Sequence, residues 1–460
     1  MSMKTEPMLY RLCSWIGKKT GTVILTPCPY AVGNCAVEIY FGLLKARREG
    51  KKLVVLFPYE LPWKLKFHLT NIELVNVESE YRYPLNKWIY VTARLLLSLY
   101  FAFFRAINLV LQKTHLVLRK TLGWGLDHFY KVPVIGLSTL WQPKEKMSEF
   151  SWDVVEQYDW KRQMETPLQI SLGKNKKLVA ERQRIRMGLP EDAWFVCLHV
   201  REGGWRNANC PEREADIFNY LGAIEEITGR GGWVVRMGDA TMTRLPTMDR
   251  VIDYPFTESK SDLMDIYLIS ECRFYIATLS GIHAVAELFQ RPMVITNMYT
   301  WIASFPPKRC DIGVMKHLFS KSRNRFLSLR EWLNEPWESM HYRTLGDDYV
   351  LYENSAEELT TVVREFLGRG VGWEPSSLQL QFNECRVLSG RNILSGPIFS
   401  GDDRQQRDVV PFNFTSEEFV DLLHRYYLAS KLDSAVGVVG EAFLEKNWEH
   451  SVREEPNCVN

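Results

Sequence analysis

Three short runs in the second half of the 460-residue chain hold residues that could grip an anion. The first is His199-Val200-Arg201-Glu202, which opens into Gly203-Gly204. An arginine there can fork two donors onto a phosphate, and glycines let the backbone approach it. The second is Arg236-Met237-Gly238-Asp239, where the arginine sits inside an apolar run. A buried charge needs a carboxylate partner or an anionic ligand, and the sequence leaves both open. The third is Ser280-Gly281, between an apolar run and a helical one, where free N–H groups and a helix dipole favour phosphate. Each run also has an ordinary structural alternative: an Arg–Glu pair, a paired buried arginine, a plain connecting turn. Their recurrence at successive strand ends is what argues for a shared anion site. Glu202 and Asp216 are the candidates for a proton-accepting base, with His68 a weaker one. Asp265 and Glu287 read as residues that orient their neighbours.

The elements around these runs read as alternating strands and helices. Thr22 to Thr26 reads as a strand, the segment from Ala36 to Arg48 as a helix closed by Gly50, and Lys52 to Phe57 as a second strand, a βαβ unit that implies a parallel sheet. Ile72 to Val77 and Val132 to Leu137 look like further strands. In the second half, Lys176 to Met187 reads as a basic helix, and Trp194 to Val200 as a strand covered on both faces. Asp216 to Ile227 reads as a helix, Gly232 to Met237 and Val251 to Tyr254 as strands, and Asp262 to Ser270 as a helix. Phe274 to Ala277, a helix from His283 to Phe289, and a strand over Pro292 to Thr296 follow. Ser355 with Glu358, and Thr415 with Glu418, have the spacing of capping boxes. The spacing therefore predicts two successive α/β domains with their join near Glu165 to Lys177.

Composition narrows the class. Apolar residues make up 46% and charged residues 24%, with a net charge of +2, so no global field points to nucleic acid. Nine cysteines without CxxC pairs fit thiols in a reducing, cytoplasmic compartment. The N-terminal apolar patch, Leu12 to Ile16, is too short for a signal peptide. Arg94 and Arg105 interrupt the apolar stretch of Trp88 to Leu111 well below the roughly 18 residues a membrane span requires. Lys87, Arg94, Ser98, Arg105 and Gln112 fall on one helical face, which predicts an amphipathic helix. It either packs on the core or docks on a membrane surface through residues 87–120, cations meeting anionic headgroups. There is no GxxxxGK[ST] loop, GxGxxG fingerprint, HExxH helix or GxSxG elbow, and no convincing set of metal ligands. Asp347-Asp348 and Asp402-Asp403 read as solvated loops.

The same residues carry a resemblance. Cys197 to Glu202, Arg213 to Ile217 with Tyr220, Val235 to Asp239, Asp253-Tyr254, Asp265-Ile266 and Ser280-Gly281 together resemble an uncharacterised bacterial glycosyltransferase family found with surface-polysaccharide genes. Ala442-Phe443-Leu444 with Lys446-Asn447 is similar to that family's C-terminal motif. His199-x-Arg201 is more distantly similar to the motif of GDP-fucose-dependent fucosyltransferases, whose arginine holds the donor's β-phosphate. Ser280-Gly281 with His283 is similar to the phosphate turn of heptosyltransferases. The sequence departs from the pattern at Glu202, where an aspartate is expected, at Glu214, where an asparagine is, and in having no second arginine after Arg201.

The resemblance implies the α/β GT-B architecture: two Rossmann-like domains facing a cleft, residues 1–165 on the acceptor side and 166–374 holding the nucleotide sugar, then a helical C-terminal extension over 375–460. It implies transfer of a sugar from a nucleotide-sugar donor to a glycan or lipid-linked acceptor, without metal or other cofactor. His199, Arg201, Arg236, Gly238, Asp239, Ser280, Gly281 and His283 would then form the donor site, with Glu202 or Asp216 as base. The rival readings are a sugar-nucleotide epimerase of the same fold and a non-catalytic glycan-binding or membrane scaffold protein. A NAD-dependent enzyme is disfavoured by the missing glycine fingerprint.

Overall fold

The computed structural model describes residues 20–28, 31–57, 71–83, 88–99, 139–141, 148–150, 167–203, 211–302, 304–337, 346–396 and 427–450, with isolated positions 17, 102, 110, 114 and 121. His68, Val132 to Leu137, Asp402-Asp403 and the Thr415–Glu418 pair lie outside the described residues. The chain divides into two compact units, the first mainly Met1–Tyr158, the second mainly Leu172–Gly401 with His424–Asn460.

In the first unit, strand β1 (Thr22–Thr26), helix α1 (Val32–Glu49) and strand β2 (Lys52–Val55) form the expected βαβ unit, β1 and β2 pairing parallel. Gly50 closes α1 in the left-handed conformation, with φ 61°, where a side chain would be strained. The sheet is mixed, because β3 (Thr139–Trp141) runs antiparallel to β1 and β4 (Ser148–Phe150) antiparallel to β3. Ile72–Asn76 is a short 3-10 helix rather than a strand, capped by the Asn71 side chain, which accepts from the Glu73 N–H at 3.0 Å. That local bond competes with an extended chain.

Residues 88–99 are helical, but the helix faces the other way from the amphipathic expectation. Leu97 and Ser98 are buried, and the Arg94 Nε donates to the Phe57 carbonyl at 2.9 Å. Trp88, Ile89, Leu95 and Leu99 are exposed. Arg94 therefore serves the protein backbone through its Nε. Among the described residues no helix is long and apolar enough to cross a membrane.

The second unit is built on a seven-stranded parallel sheet. After helix α2 (Lys174–Arg186), strand β5 (Phe195–His199) starts the sheet, followed by helix α3 (Leu221–Gly229), β6 (Trp233–Arg236), β7 (Val251–Asp253) and helix α4 (Asp262–Glu271). The chain then crosses to the far side of β5 with β8 (Phe274–Ala277), helix α5 (His283–Leu288), β9 (Met293–Met298) and β10 (Ile312–Met315). Every residue of β5, β8, β9 and β10 is buried, as strands covered on both faces must be. A small antiparallel sheet of β11 (His317–Ser320), β12 (Arg325–Phe326) and β13 (Tyr349–Tyr352) follows, with helix α6 (Leu329–Asn334) between β12 and β13.

Helix α7 (Ala356–Gly368) starts with the expected capping box of Ser355 and Glu358. The C-terminal residues are more than helical. Helix α8 (Ser377–Leu394) is followed by β14 (Val438–Val439), which joins the edge of the large sheet beside β10, and by helix α9 (Glu441–Asn447). Arg386, 1% exposed, ties this segment down by donating to the backbone carbonyls of Trp301, Leu432 and Ala435.

Candidate functional site

The order of strands places the site. Across the large sheet the order is β14-β10-β9-β8-β5-β6-β7, so the chain runs outward from β5 on one side, then returns to β8 and runs outward on the other. In such sheets the crevice for ligands lies beyond the carboxyl ends of the two strands flanking the reversal, here β5 and β8. Strand β5 ends at His199 and delivers Arg201; β8 ends at Ala277 and delivers Thr278 and Ser280.

Hydrogen bonds stitch the two ends together. The Thr278 N–H donates to the His199 carbonyl at 3.2 Å, and the Arg201 N–H donates to the Thr278 hydroxyl at 2.9 Å. The Ser280 hydroxyl lies 3.2 Å from His199 Nδ1. Burial, with the positive charges of Arg236, His283 and Arg201 added, pushes the His199 pKa down to about 3. His199 is thus a neutral ring that can accept from Ser280. The Arg201 guanidinium has no hydrogen bond or ion pair among the described residues, and its Nε is buried without a partner. A donor left in that state needs a ligand or water.

Arg236 differs from the expectation of an anion ligand. Its side chain is fully buried and held by two carboxylates, Glu202 Oε1 at 2.7 Å and Asp253 Oδ1 at 3.1 Å. The other oxygen of each carboxylate accepts a backbone N–H of the following loop: Thr243 at 2.7 Å from Glu202 and Leu245 at 3.0 Å from Asp253. Arg236 is therefore a clamp, and the carboxylate alternative is the one realised. Glu202, with both oxygens engaged, is a member of that clamp rather than a free base. Gly238, at φ 146°, and Asp239 shape the same loop. A Cβ at Gly238 would overlap the Met242 sulfur, and Asp239 Oδ1 accepts from the Thr241 N–H at 2.8 Å.

The Ser280-Gly281 turn offers fewer donors than expected. Helix α5 is only six residues long, so its dipole is small. The Ser280 N–H donates to His283 Nδ1 at 3.3 Å, and the His283 N–H to the Ser280 carbonyl at 3.3 Å. That leaves the Gly281 and Ile282 N–H groups to offer. His283 Nε2 lies 3.5 Å from Glu287, which lies 3.5 Å from Lys431. Burial opposes ionisation of Glu287, but Lys431 and His283 outweigh it and hold the carboxyl well below its usual range. Asp216 caps the 3-10 turn Ile217–Tyr220, accepting from the Phe218 N–H at 2.9 Å, so its observed work is structural too. Asp265, 2.5 Å from Lys260, pairs with a neighbour as read.

Of the expected residues, the fold gathers His199, Arg201, Ser280, Gly281 and His283 at the strand reversal. Glu202, Arg236, Gly238 and Asp239 support the adjoining loop. Sequence reasoning did not single out Thr278 or Lys316, and it named Asp253 only within the Asp253-Tyr254 pair of the resemblance, not as a partner of Arg236. Lys316, between the apolar runs of β10 and β11, carries the same signal as Arg236: a charge inside a buried stretch.

No family description matches the chain, and no curated protein sequence does. Among solved structures, a glycosyl transferase of family 9 from Veillonella parvula is similar over 60% of this chain and 80% of its own, at 13% identity and a TM-score of 0.32. The E. coli ADP-heptose LPS heptosyltransferase II is similar over 59% of this chain and 83% of its own, at 15% identity and a TM-score of 0.33. Scores this low do not place the chain in a family, and the site stands on its own residues.

Proposed function

We propose that the chain is a glycosyltransferase of the GT-B type whose second unit binds the diphosphate of a nucleotide sugar between the ends of β5 and β8. The observation that carries this reading is the Arg201 guanidinium, unpaired among the described residues at the strand reversal of a parallel sheet. Transfer of a sugar leaves a nucleoside diphosphate bearing new charge. A preorganised cation with buried N–H groups stabilises that charge most where water is excluded. Arg201 supplies the cation, the Ser280 hydroxyl and the Gly281 and Ile282 N–H groups supply neutral donors, and His199 stays uncharged while positioning Ser280.

Glu202 and Asp216 are not used as base in this reading, since the clamp and the helix cap engage them. The acceptor is a glycan or lipid-linked sugar of a surface polysaccharide, an assignment that rests on the motif resemblance alone. A panel of GDP, UDP, ADP, TDP and CMP tests the reading through thermal stabilisation. A bound nucleotide at a hundredfold excess over its Kd adds about 2.7 kcal/mol. One of the panel is expected to raise Tm, and a panel that leaves Tm unchanged throughout overturns the reading.

A further inference from the structure

A short segment after β5 is fastened across the carboxyl edge of the sheet. At one end the Ala215 N–H donates to the Arg201 carbonyl at 3.0 Å, beyond β5. On the same peptide the Lys316 ammonium, beyond β10, donates to the Glu214 carbonyl at 2.8 Å. At the other end the Asp216 N–H donates to Glu353, beyond β13, at 2.8 Å. The Lys316 fastening is the costly one. Lys316 is 2% exposed, and burial lowers its pKa against the opposing pull of Glu353, Glu212 and Glu214. Arg213, the cation on the segment, lies 5.9 Å from the Tyr299 ring centroid, and His317, next to Lys316, bonds to Glu358 at 2.8 Å. A lysine is kept in such a place only if its charge and its hydrogen bond hold something that matters.

We propose that Lys316 is a positioning residue, anchoring residues 211–216 as a strap that sets Arg201 and the Glu214 carboxylate at the donor site. The Glu214 carbonyl that Lys316 holds belongs to the same peptide as the Ala215 N–H that holds Arg201. The Glu214 carboxylate lies over Gly203, where an added Cβ would stand 3.2 Å from its Oε2. Glu212 and Glu214 each keep a buried Oε1 without a partner among the described residues, while Arg201 keeps a buried Nε–H. The unanswered Glu214 acceptor over Gly203, two residues on from an unanswered cationic donor, suits a phosphate carrying a hydroxylated sugar. This last step rests on the nucleotide-sugar reading; the strap itself does not.

The test is amide hydrogen exchange on the full chain, comparing wild type with Lys316→Met and Lys316→Arg. The Met variant removes the donor at nearly equal length, and the Ala215 and Asp216 amides are expected to exchange at least about tenfold faster while β5 and β8 keep their protection. The Arg variant is expected to recover most of that protection. Unchanged exchange at Ala215, or loss spread evenly over the unit, overturns the proposal. Should the Met variant not fold, Lys316→Gln is read by the same criterion.

The donor part is read by titrating whichever of GDP, UDP, ADP, TDP and CMP stabilises wild type. Affinity is expected to fall at least about tenfold in the Met variant, about 1.4 kcal/mol. Equal affinity overturns the link to Arg201. If none of the five stabilises wild type, the nucleotide-sugar reading falls with them, and exchange at Ala215 still decides the strap.

Discussion

Replacing Arg236 by methionine separates a clamp from a ligand site. The guanidinium is fully buried, and its partners Glu202 and Asp253 are 15% and 20% exposed. Removing one partner of a buried ion pair costs about 3–5 kcal/mol, because the remaining charge is left uncompensated. Here two carboxylates are stranded, but both retain some water and a backbone N–H from Thr243 or Leu245, which points to the lower end, about 3 kcal/mol. For a unit of this size that corresponds to a Tm lower by roughly 6–12 °C. Urea denaturation followed by tryptophan fluorescence reads the loss directly. Adding Glu202→Gln and Asp253→Asn to the Met variant removes the stranded charges and is expected to recover part of the stability. A loss under about 1 kcal/mol, paired with a large drop in nucleotide affinity, would refute the clamp and return Arg236 to the ligand site.

Two further outcomes follow from buried polar groups. His199 has a folded pKa of about 3 against about 6.5 for a free histidine, so the unfolded chain binds the extra proton first. The stability from this group is complete above pH 6.5 and is lost as pH falls toward 3, by up to about 1.4 kcal/mol per pH unit; the slope of an acid titration of stability should flatten in His199→Gln. The Asn297 N–H donates to Asn354 Oδ1 at 2.9 Å, the Asn354 N–H to Asn297 Oδ1 at 2.8 Å, and Asn354 Nδ2 to the Met315 carbonyl at 2.6 Å. Asn354→Ala strands the Asn297 N–H at the register irregularity within β9, where φ is 52°, and equilibrium unfolding is expected to show a loss of about 2–3 kcal/mol.

The sequence was most readable where side chains answer to their own element. Continuous burial made β5 and β8 recognisable from the apolar runs ending at His199 and Ala277, and the carboxyl-end rule then pointed to Arg201 and Ser280. Long-range pairing was not readable. The partners of Arg236 lie at positions 202 and 253, and Asp253 meets it only because β6 and β7 register Arg236 opposite Asp253. Short or locally capped segments misled in other ways. Ile72 to Val77 is apolar like a strand, yet Asn71 turns it into a 3-10 helix. Val438–Val439 is too short to show any period, yet it extends the sheet. Residues 88–99 have a clear polar face, but Arg94 turns it toward the Phe57 carbonyl.

The central claim is that Arg201 holds the diphosphate. Calorimetric titration of wild type and Arg201→Ala with the nucleoside diphosphate that stabilises the protein measures it directly. Loss of a charge-assisted contact is expected to cost about 1.5–3 kcal/mol, a Kd roughly 10- to 150-fold weaker, with the apo Tm nearly unchanged because the Arg201 guanidinium has no partner among the described residues to lose. An Arg201→Ala protein that binds the nucleotide as tightly as wild type would contradict the account.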